Sequence, residues 1–471
     1  MGKTMKTRWF AAICLAVISS GTLGSQVDAP RPNIVYFLAD DLGYADVGFN
    51  GGREIATPHV DRLAASGARL EQFYVQPVCS PTRAALMTGR YPMRHGLQVG
   101  VVRPWAQYGL PLDERTLAQA LKQAGYATAI MGKWHLGHFE PAYLPTRRGF
   151  DVQYGHYNGA IDYFTHERDG GHDWHRQDQA SYDEGYSTHL LTQEAVKFVD
   201  AQTSGRPFFL YVPFNAVHAP HQVPDVYKKP YDKLAEPRRT YAGMLAAMDE
   251  GIGRILEALD RKGFSENTLV VFSSDNGGPM PGRVTDNGPL RAGKGTLYEG
   301  GVRGAACVVW PGRIKAGTVV TQPVHMVDWY PTLVKLARGS LEQKLPIDGR
   351  DAWATIAAGQ PSPHAEILIN TAPMSGALRA GNWKLVLNGD GHEAEVSLRE
   401  NGRELSSAPA KIELFDLAAD PGERRNVAEA HPEKVKELRT RYQTLADQAV
   451  PPKLKPKDPN FKTPKVWGAQ D

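Results

Sequence analysis

NIVYFLADD, residues 33–41, opens with a strand-length run from Asn33 to Leu38 and closes on Asp40 and Asp41. The run does not alternate between apolar and polar positions, so it reads as a strand buried on both faces, like an inner strand of a parallel sheet. Tyr126 to Met131, Pro207 to Val212 and Thr268 to Ser274 read the same way. Segments of helical spacing lie between these runs. Thr57 is placed to cap a helix, with Pro58 at its first position and Gly67 just past its end. Glu114 to Ala124 is similar and stops at Gly125, while Met244, Met248, Ile252, Ile255 and Leu259 form one apolar helix stripe ending before Gly263. A stripe of this kind belongs to a core. Together these elements predict an α/β fold: a mixed, mostly parallel sheet flanked by helices.

Beyond Gly359 the segments become shorter. Ala377 to Asn388 reads as a hairpin turning at Ala380, Gly381 and Asn382, followed by a strand at Ile412 to Asp416 and a helix over Pro432 to Val450 marked by Val435, Leu438, Tyr442 and Leu445. The expected organisation is a large domain over 31–358, a small C-terminal α+β subdomain over 359–450, and a Lys- and Pro-rich tail over 451–471 that lies along the surface or is disordered.

With 54 basic against 51 acidic residues in 471, the formal charge of +3 offers no broad basic surface for nucleic acid, so an anionic ligand must be held locally. Residues 1–25 have the pattern of a secretory signal peptide: Lys3, Lys6 and Arg8, then the apolar run Trp9 to Ile18, then small and polar residues from Ser19 to Ser25. The run is shorter than the roughly 20 residues a membrane anchor needs. Cleavage is expected between Gly21 and Ala29, with export to the periplasm or beyond the cell. Cys14 leaves with the signal, and the mature chain keeps Cys79 and Cys307. Cys307, inside the apolar run Ala305 to Trp310, reads as a buried structural thiol. Cys79 lies among polar and helix-starting residues.

In open α/β sheets, ligands bind past the carboxyl ends of the strands. Asp40 and Asp41 follow one strand here, and Asp275 and Asn276 follow another. Three carboxylates and an amide suit a hard divalent cation. The other two strands lead to Lys133 and His135, and to His218. Any one such pair more often merely turns the chain, and a lone His is usually structural. Four strand ends carrying matched chemistry point instead to an oxyanion neutralised from several sides, and so to ester hydrolysis at a tetrahedral anion.

Cys79-Ser80-Pro81-Thr82-Arg83 begins a helix that Gly89 can end, with Pro81 near its start. The Cys79 side chain then sits at a helix N-terminus, where the dipole favours an anion or a polarised nucleophile, with Arg83 one turn along. An activated thiol is one reading of this placement.

The run Cys79, Pro81, Arg83 matches the C-x-P-x-R signature of the formylglycine-dependent sulfatases, extended by Leu86 to Arg90. Gly132-Lys133-Trp134-His135-Leu136-Gly137, Asp275-Asn276-Gly277-Gly278, Lys294 within Gly293 to Gly301, and Phe415-Asp416-Leu417 through Asp420-Pro421 also resemble that family. The similarity runs from Arg31 to about Asn426. It implies an alkaline-phosphatase-like fold and the oxidation of Cys79 by a formylglycine-generating enzyme to 3-oxoalanine (formylglycine). One hydroxyl of the hydrated aldehyde attacks sulfur, and loss of a proton from the other expels sulfate. The same resemblance implies Ca2+, or Mg2+, held by Asp40, Asp41, Asp275, Asn276 and the modified Cys79. Arg83 would hold the hydrated aldehyde, and Lys133, Lys294 and His218 would contact the sulfate. His135 would assist deprotonation of the second hydroxyl, and His218 or Lys294 would protonate the leaving alcohol.

Tyr154 to His166, with Gly159, Ala160, Asp162 and Tyr163, resembles the arylsulfatase B branch, which acts on sulfated N-acetylgalactosamine. That implies a sulfated carbohydrate or aryl sulfate as substrate, with Asp162 and His166 as candidate sugar contacts. The competing readings are a phosphodiesterase or phosphonate ester hydrolase of the same superfamily, and a glycan binder that has lost its chemistry. The sequence leaves the sugar, the sulfated position and the oligomeric state open.

Overall fold

The computed structural model describes residues 1–2, 31–405 and 410–468. The expected signal segment, with Cys14, lies outside the described residues apart from its first two positions. Among the described residues no helix is long and apolar enough to cross a membrane.

Asn33–Ala39 is an inner strand of a parallel group within a ten-stranded sheet, flanked by Thr268–Ser274 on one side and Phe208–Pro213 on the other. Ala127–Lys133 and then Val152–His156 extend the parallel group. Beyond Thr268–Ser274, Ala306–Val309 runs antiparallel and carries the sheet to Ala68–Leu70 and Thr318–Val320. Antiparallel pairing with His175–Arg176 and Gln179–Ala180 closes the far edge. All four strands predicted from their runs are present, and every residue of Asn33–Ala39 and Thr268–Ser274 is buried.

Both faces of the sheet are covered, which is why those strands carry no polar alternation. Ile34, Tyr36 and Leu38 belong to one apolar cluster, shared with Ala84, Leu86 and Met87 of the Cys79–Thr88 helix. Val35, Phe37 and Ala39 face the opposite cluster, built on the Arg238–Arg261 helix. Met244, Met248, Ile252, Ile255 and Leu259 are all buried there, as the stripe predicts. Cys307 is a buried thiol in the Ala306–Val309 strand.

Some boundaries differ from the expectation. The helix predicted over Glu114 to Ala124 begins at Leu117, because Thr116 and Gln119 form a reciprocal capping box and Glu114 turns aside to pair with Arg90 at 3.0 Å. The C-terminal helix is Pro432–Ala446 and stops short of Val450. The predicted hairpin appears as Gly376–Ala380 and Trp383–Leu387, inside an antiparallel sheet of Glu366–Thr371, these two strands and Ile412–Asp416. A Gly391–Glu400 helix between the last two strands was not anticipated. The tail is anchored through residue 468 rather than free: Leu454 is buried against Val99 and Ala372, and Trp467 is buried beside His138 and Phe461.

Candidate active site

The parallel register brings Ala39 level with Ser274 and Leu38 level with Pro213, so the loops after three strands leave the sheet side by side. Backbone hydrogen bonds extend the pairing past the strand ends. Asp275 N donates to Ala39 O at 3.0 Å, Asp40 N to Ala216 O at 3.0 Å, and Val217 N to Asp40 O at 2.9 Å. Asp40, Asp41, Asp275 and His218 are therefore placed by the sheet itself. Asp41 has φ 63°, a left-handed conformation that an Asp holds only when its surroundings impose it.

Cys79 is the first residue of its helix, whose far end closes on Gly89 at φ 67°. Its Sγ lies 3.4 Å from Asp40 Oδ1 and 3.7 Å from Lys294 Nζ. Arg83, one turn on, is buried and donates from Nη2 to Asp275 Oδ2 at 2.8 Å and from Nη1 to Lys133 O at 3.2 Å. Lys133 Nζ is paired with Asp40 Oδ2, and Lys294 Nζ with Asp41 at 2.7 Å. The structure thus gathers every residue the sequence nominated at this rim.

The same rim fits a divalent cation. Asp40, Asp41, Cys79 and His218 each offer a ligand atom, all within 4.8 Å of one another. Asn276 Nδ2 donates to Asp41 Oδ1 at 2.8 Å, and its Oδ1 is buried with no hydrogen-bond donor among the described residues. A carbonyl oxygen free beside three carboxylates is the donor set of a hard cation.

Electrostatics sort these groups. Burial alone would raise Asp41, but Lys294 and His218 outweigh it and hold the carboxyl well below the usual range. Burial and then the Asp40 carboxylate push Asp275 up to about 6. Burial first, then Asp275 and Asp40, drive the Cys79 thiol far up, so it is no thiolate at neutral pH. Burial lowers His218 to about 3, and it holds His135 well below the ordinary imidazole value with help from Lys133. Burial opposes the charge on Lys294, yet the Asp41 carboxylate, with Asp40 behind it, keeps it firmly protonated.

His135 sits at φ 60°, and its Nε2 faces Val102 O at 3.1 Å while Nδ1 has no partner among the described residues. Ser80, which the sequence reading left without a role, ties this corner together: its Oγ donates to His135 O at 2.9 Å and accepts from Val102 N at 3.0 Å. Gly159 must lack a side chain, because a Cβ there would lie 2.5 Å from His135 Nε2.

Above Cys79, His135, His218 and Lys294 opens a cleft of about 400 Å³. Its upper walls hold residues not anticipated from sequence: Arg103 from one loop, Arg168, and the face of the Gly391–Glu400 helix carrying Glu393, Ser397 and Glu400. The Tyr154 to His166 segment contributes only Gly159 and Ala160. The two sugar contacts nominated there are not among the lining residues. Asp162 instead accepts from Phe164 N, Thr165 N and Gln222 Nε2, while His166 is buried in a stack on Trp174. A carboxylate that closes its own turn and an imidazole used as core packing were indistinguishable, in sequence, from sugar-binding groups.

Comparison with known proteins agrees with this geometry. The Sulfatase family model matches residues 32–340. Arylsulfatase J of Mus musculus is 38% identical over 95% of this chain and 83% of its own length. N-acetylgalactosamine-6-sulfatase of Mus musculus is 36% identical over 74% of this chain and 70% of its own. Among solved structures, Ps i-CgsB in complex with k-i-k-neocarrahexaose superposes with a TM-score of 0.81 at 32% identity, covering 91% of this chain and 96% of that one.

Proposed function

The chain belongs to the sulfatase family and is a sulfuric ester hydrolase, and from that premise we propose that it desulfates a sulfated carbohydrate using formylglycine made from Cys79 and a bound Ca2+. Its fold is the alkaline-phosphatase-like α/β fold of its structural neighbours. The observation that carries the proposal is the meeting of Cys79 Sγ, the Asp40–Asp41 pair and Lys294 Nζ at one rim, with every contact under 4 Å. Two relatives add to it, since one is named an N-acetylgalactosamine-6-sulfatase and a structural neighbour is in complex with k-i-k-neocarrahexaose.

Asp40, Asp41, Asp275 and Asn276 would hold Ca2+, which supplies positive charge to the sulfate oxygens and to the nucleophile. The raised thiol of Cys79 supports a modified side chain, because a protonated thiol is a weak nucleophile. Hydrated formylglycine supplies two hydroxyls on one carbon, one to attack sulfur and one whose deprotonation lets the product go. A formylglycine-generating enzyme acts before the residue is sealed in, since Cys79 is 1% exposed in the folded chain.

The chain's own groups divide the remaining work. Lys133 and Lys294, each lodged against a carboxylate, present ammonium charge to a sulfate seated above Cys79. Arg83 fixes Asp275 and so the shape of the cation site. His135, neutral and with Nε2 committed to Val102 O, keeps Nδ1 as a proton acceptor. Lys294 is the group that carries a proton next to the leaving alcohol, and His218, neutral through burial, faces Asp41 at 3.6 Å. Export follows from the signal pattern at residues 1–25.

The test is inorganic sulfate release from galactose and N-acetylgalactosamine 4- and 6-sulfates and from 4-nitrophenyl sulfate, with the aldehyde at Cys79 verified by peptide mass. Release that disappears in Cys79→Ala supports the proposal. Silence on all of these substrates with the aldehyde in place refutes it, and faster cleavage of an aryl phosphodiester would make the chain a phosphoesterase.

A further inference from the structure

One face of the Gly391–Glu400 helix forms a wall of the cleft, with Glu393 in its first turn, Val396 and Ser397 one turn on, and Glu400 beyond. Spacings of three, four and seven residues put these side chains on one face. The opposite face anchors the helix: Glu395 is buried, accepts from Met374 N at 2.9 Å and pairs with Arg399 at 2.8 Å. Glu400 pairs with Arg103 on the facing loop, and Val396 packs against the Val99, Ala372 and Leu454 cluster. The wall is therefore fixed in place by both the facing loop and the tail.

Glu393 stands out on this wall. It is exposed and has no hydrogen-bond or ion-pair partner among the described residues. It is also pressed toward the catalytic loop, where a Cβ on Gly295 would lie 2.3 Å from its Oε1. Gly295, at φ 82°, directly follows Lys294. An unpaired carboxylate here would repel the sulfate if it touched it, and a carboxylate is an acceptor only. Its natural partner is a neutral donor one position away from the sulfate ester. His392 borders the same cleft and is fully buried, with neither ring nitrogen partnered among the described residues. Val396 supplies apolar surface between Glu393 and Glu400. A carboxylate, a serine hydroxyl and an apolar strip on one rigid face match a sugar ring, whose hydroxyls donate and whose C–H face packs.

We propose that the Gly391–Glu400 helix is the sugar-reading wall of the cleft, with Glu393 accepting a hydrogen bond from a hydroxyl next to the sulfated carbon and Ser397 contacting the same or the adjoining ring. This rests on the sulfatase reading of the site below it, and makes Glu393 a specificity-determining residue outside the sulfate-binding set.

The experiment compares kcat and KM of the wild type, Glu393→Gln and Ser397→Ala on two probes. One is whichever galactose or N-acetylgalactosamine sulfate the wild type desulfates fastest, and the other is 4-nitrophenyl sulfate, whose ring bears no hydroxyl. Glu393→Gln keeps the shape on an exposed helix face, so the fold survives. Loss of a charge-assisted hydrogen bond predicts a drop of about 10- to 100-fold in kcat/KM on the sugar sulfate, several times larger than any drop on 4-nitrophenyl sulfate. Ser397→Ala predicts a smaller drop of the same selectivity, about 3- to 10-fold. Equal losses on both probes, no loss on the sugar sulfate, or turnover of 4-nitrophenyl sulfate alone would each overturn the inference while leaving the sulfatase reading standing. Turnover of neither probe by wild-type protein with its aldehyde in place would remove the sulfatase reading itself.

Discussion

Lys384→Met probes the joint between the C-terminal sheet and the catalytic rim. Lys384 Nζ lies 2.9 Å from Glu299 Oε1 and 2.8 Å from Glu423 Oε1, and all three side chains are sealed from solvent. Tyr74 OH also donates to Glu299, Arg303 approaches it at 3.5 Å, and Glu299 N donates to Glu423 at 2.6 Å. Methionine fills the lysine's volume but leaves Glu299 with only Arg303 and Arg379 as cationic neighbours and takes from Glu423 the ammonium 2.8 Å away. Breaking a buried pair in this way costs about 3–5 kcal/mol. The relief available is protonation of Glu423, which burial, worsened by Glu299 and eased by Lys384, already holds up at about 7. A raised carboxyl contributes stability that is complete below its unfolded value and lost as pH rises through its folded value. In the variant that folded value moves higher still. At pH 7 the wild type has half ionised Glu423 and at pH 8 it has almost wholly done so, while the variant has not, so the penalty at pH 8 exceeds that at pH 7 by about 1 kcal/mol. Below about 7 both proteins carry the proton, and this contribution to the gap stops changing. Urea unfolding followed by tryptophan fluorescence at pH 6, 7 and 8 measures it. A penalty under about 1 kcal/mol at pH 8, or one that grows as pH falls, refutes the reasoning. Adding Glu423→Gln to the variant should abolish the difference between pH 7 and pH 8.

Two further outcomes are expected. Gly159→Ala would set a methyl group 2.4 Å from His135 Cε1 and push the ring off Val102 O, lowering sulfate release about 10- to 100-fold with the fold retained. Steady-state rates against circular dichroism check this, and full activity would mean that His135 does not act from its present position. Trp467→Ala removes a side chain that is 2% exposed, stacks on Phe461 at 6.2 Å between centroids and donates from Nε1 to Arg168 O at 2.8 Å. It should cost about 3 kcal/mol and leave the strand pair bearing Arg168 open to proteolysis, whereas a freely disordered tail would show no change.

What the sequence reveals and conceals follows from how each group reaches the site. Asp40, Asp41, Asp275 and Asn276 are covalently next to strands whose apolar runs are unmistakable, so strand position alone places them at one rim. Cys79 and Arg83 share one helix turn, and Lys133 and His135 lie at the end of another strand. For all of these the path from chain to site is local. The upper cleft is built differently. Glu393 and Ser397 lie about a hundred residues past Lys294, on a helix whose outward face is polar, and such a face reads as ordinary solvent-facing surface. It becomes a wall only because the four-stranded C-terminal sheet carries the helix back over the catalytic rim, and no periodicity in the chain encodes that return. Asp162 and His166 fail in the opposite way, being polar residues beside the right loop that the chain spends on its own turns and stacking. The chemistry of this protein is thus written in short segments that resemble its relatives. On the proposal made for the Gly391–Glu400 helix, its choice of substrate would rest on long-range packing, where Gly295 admits Glu393 and the tail braces Val396, and variation there would change which sugar is read.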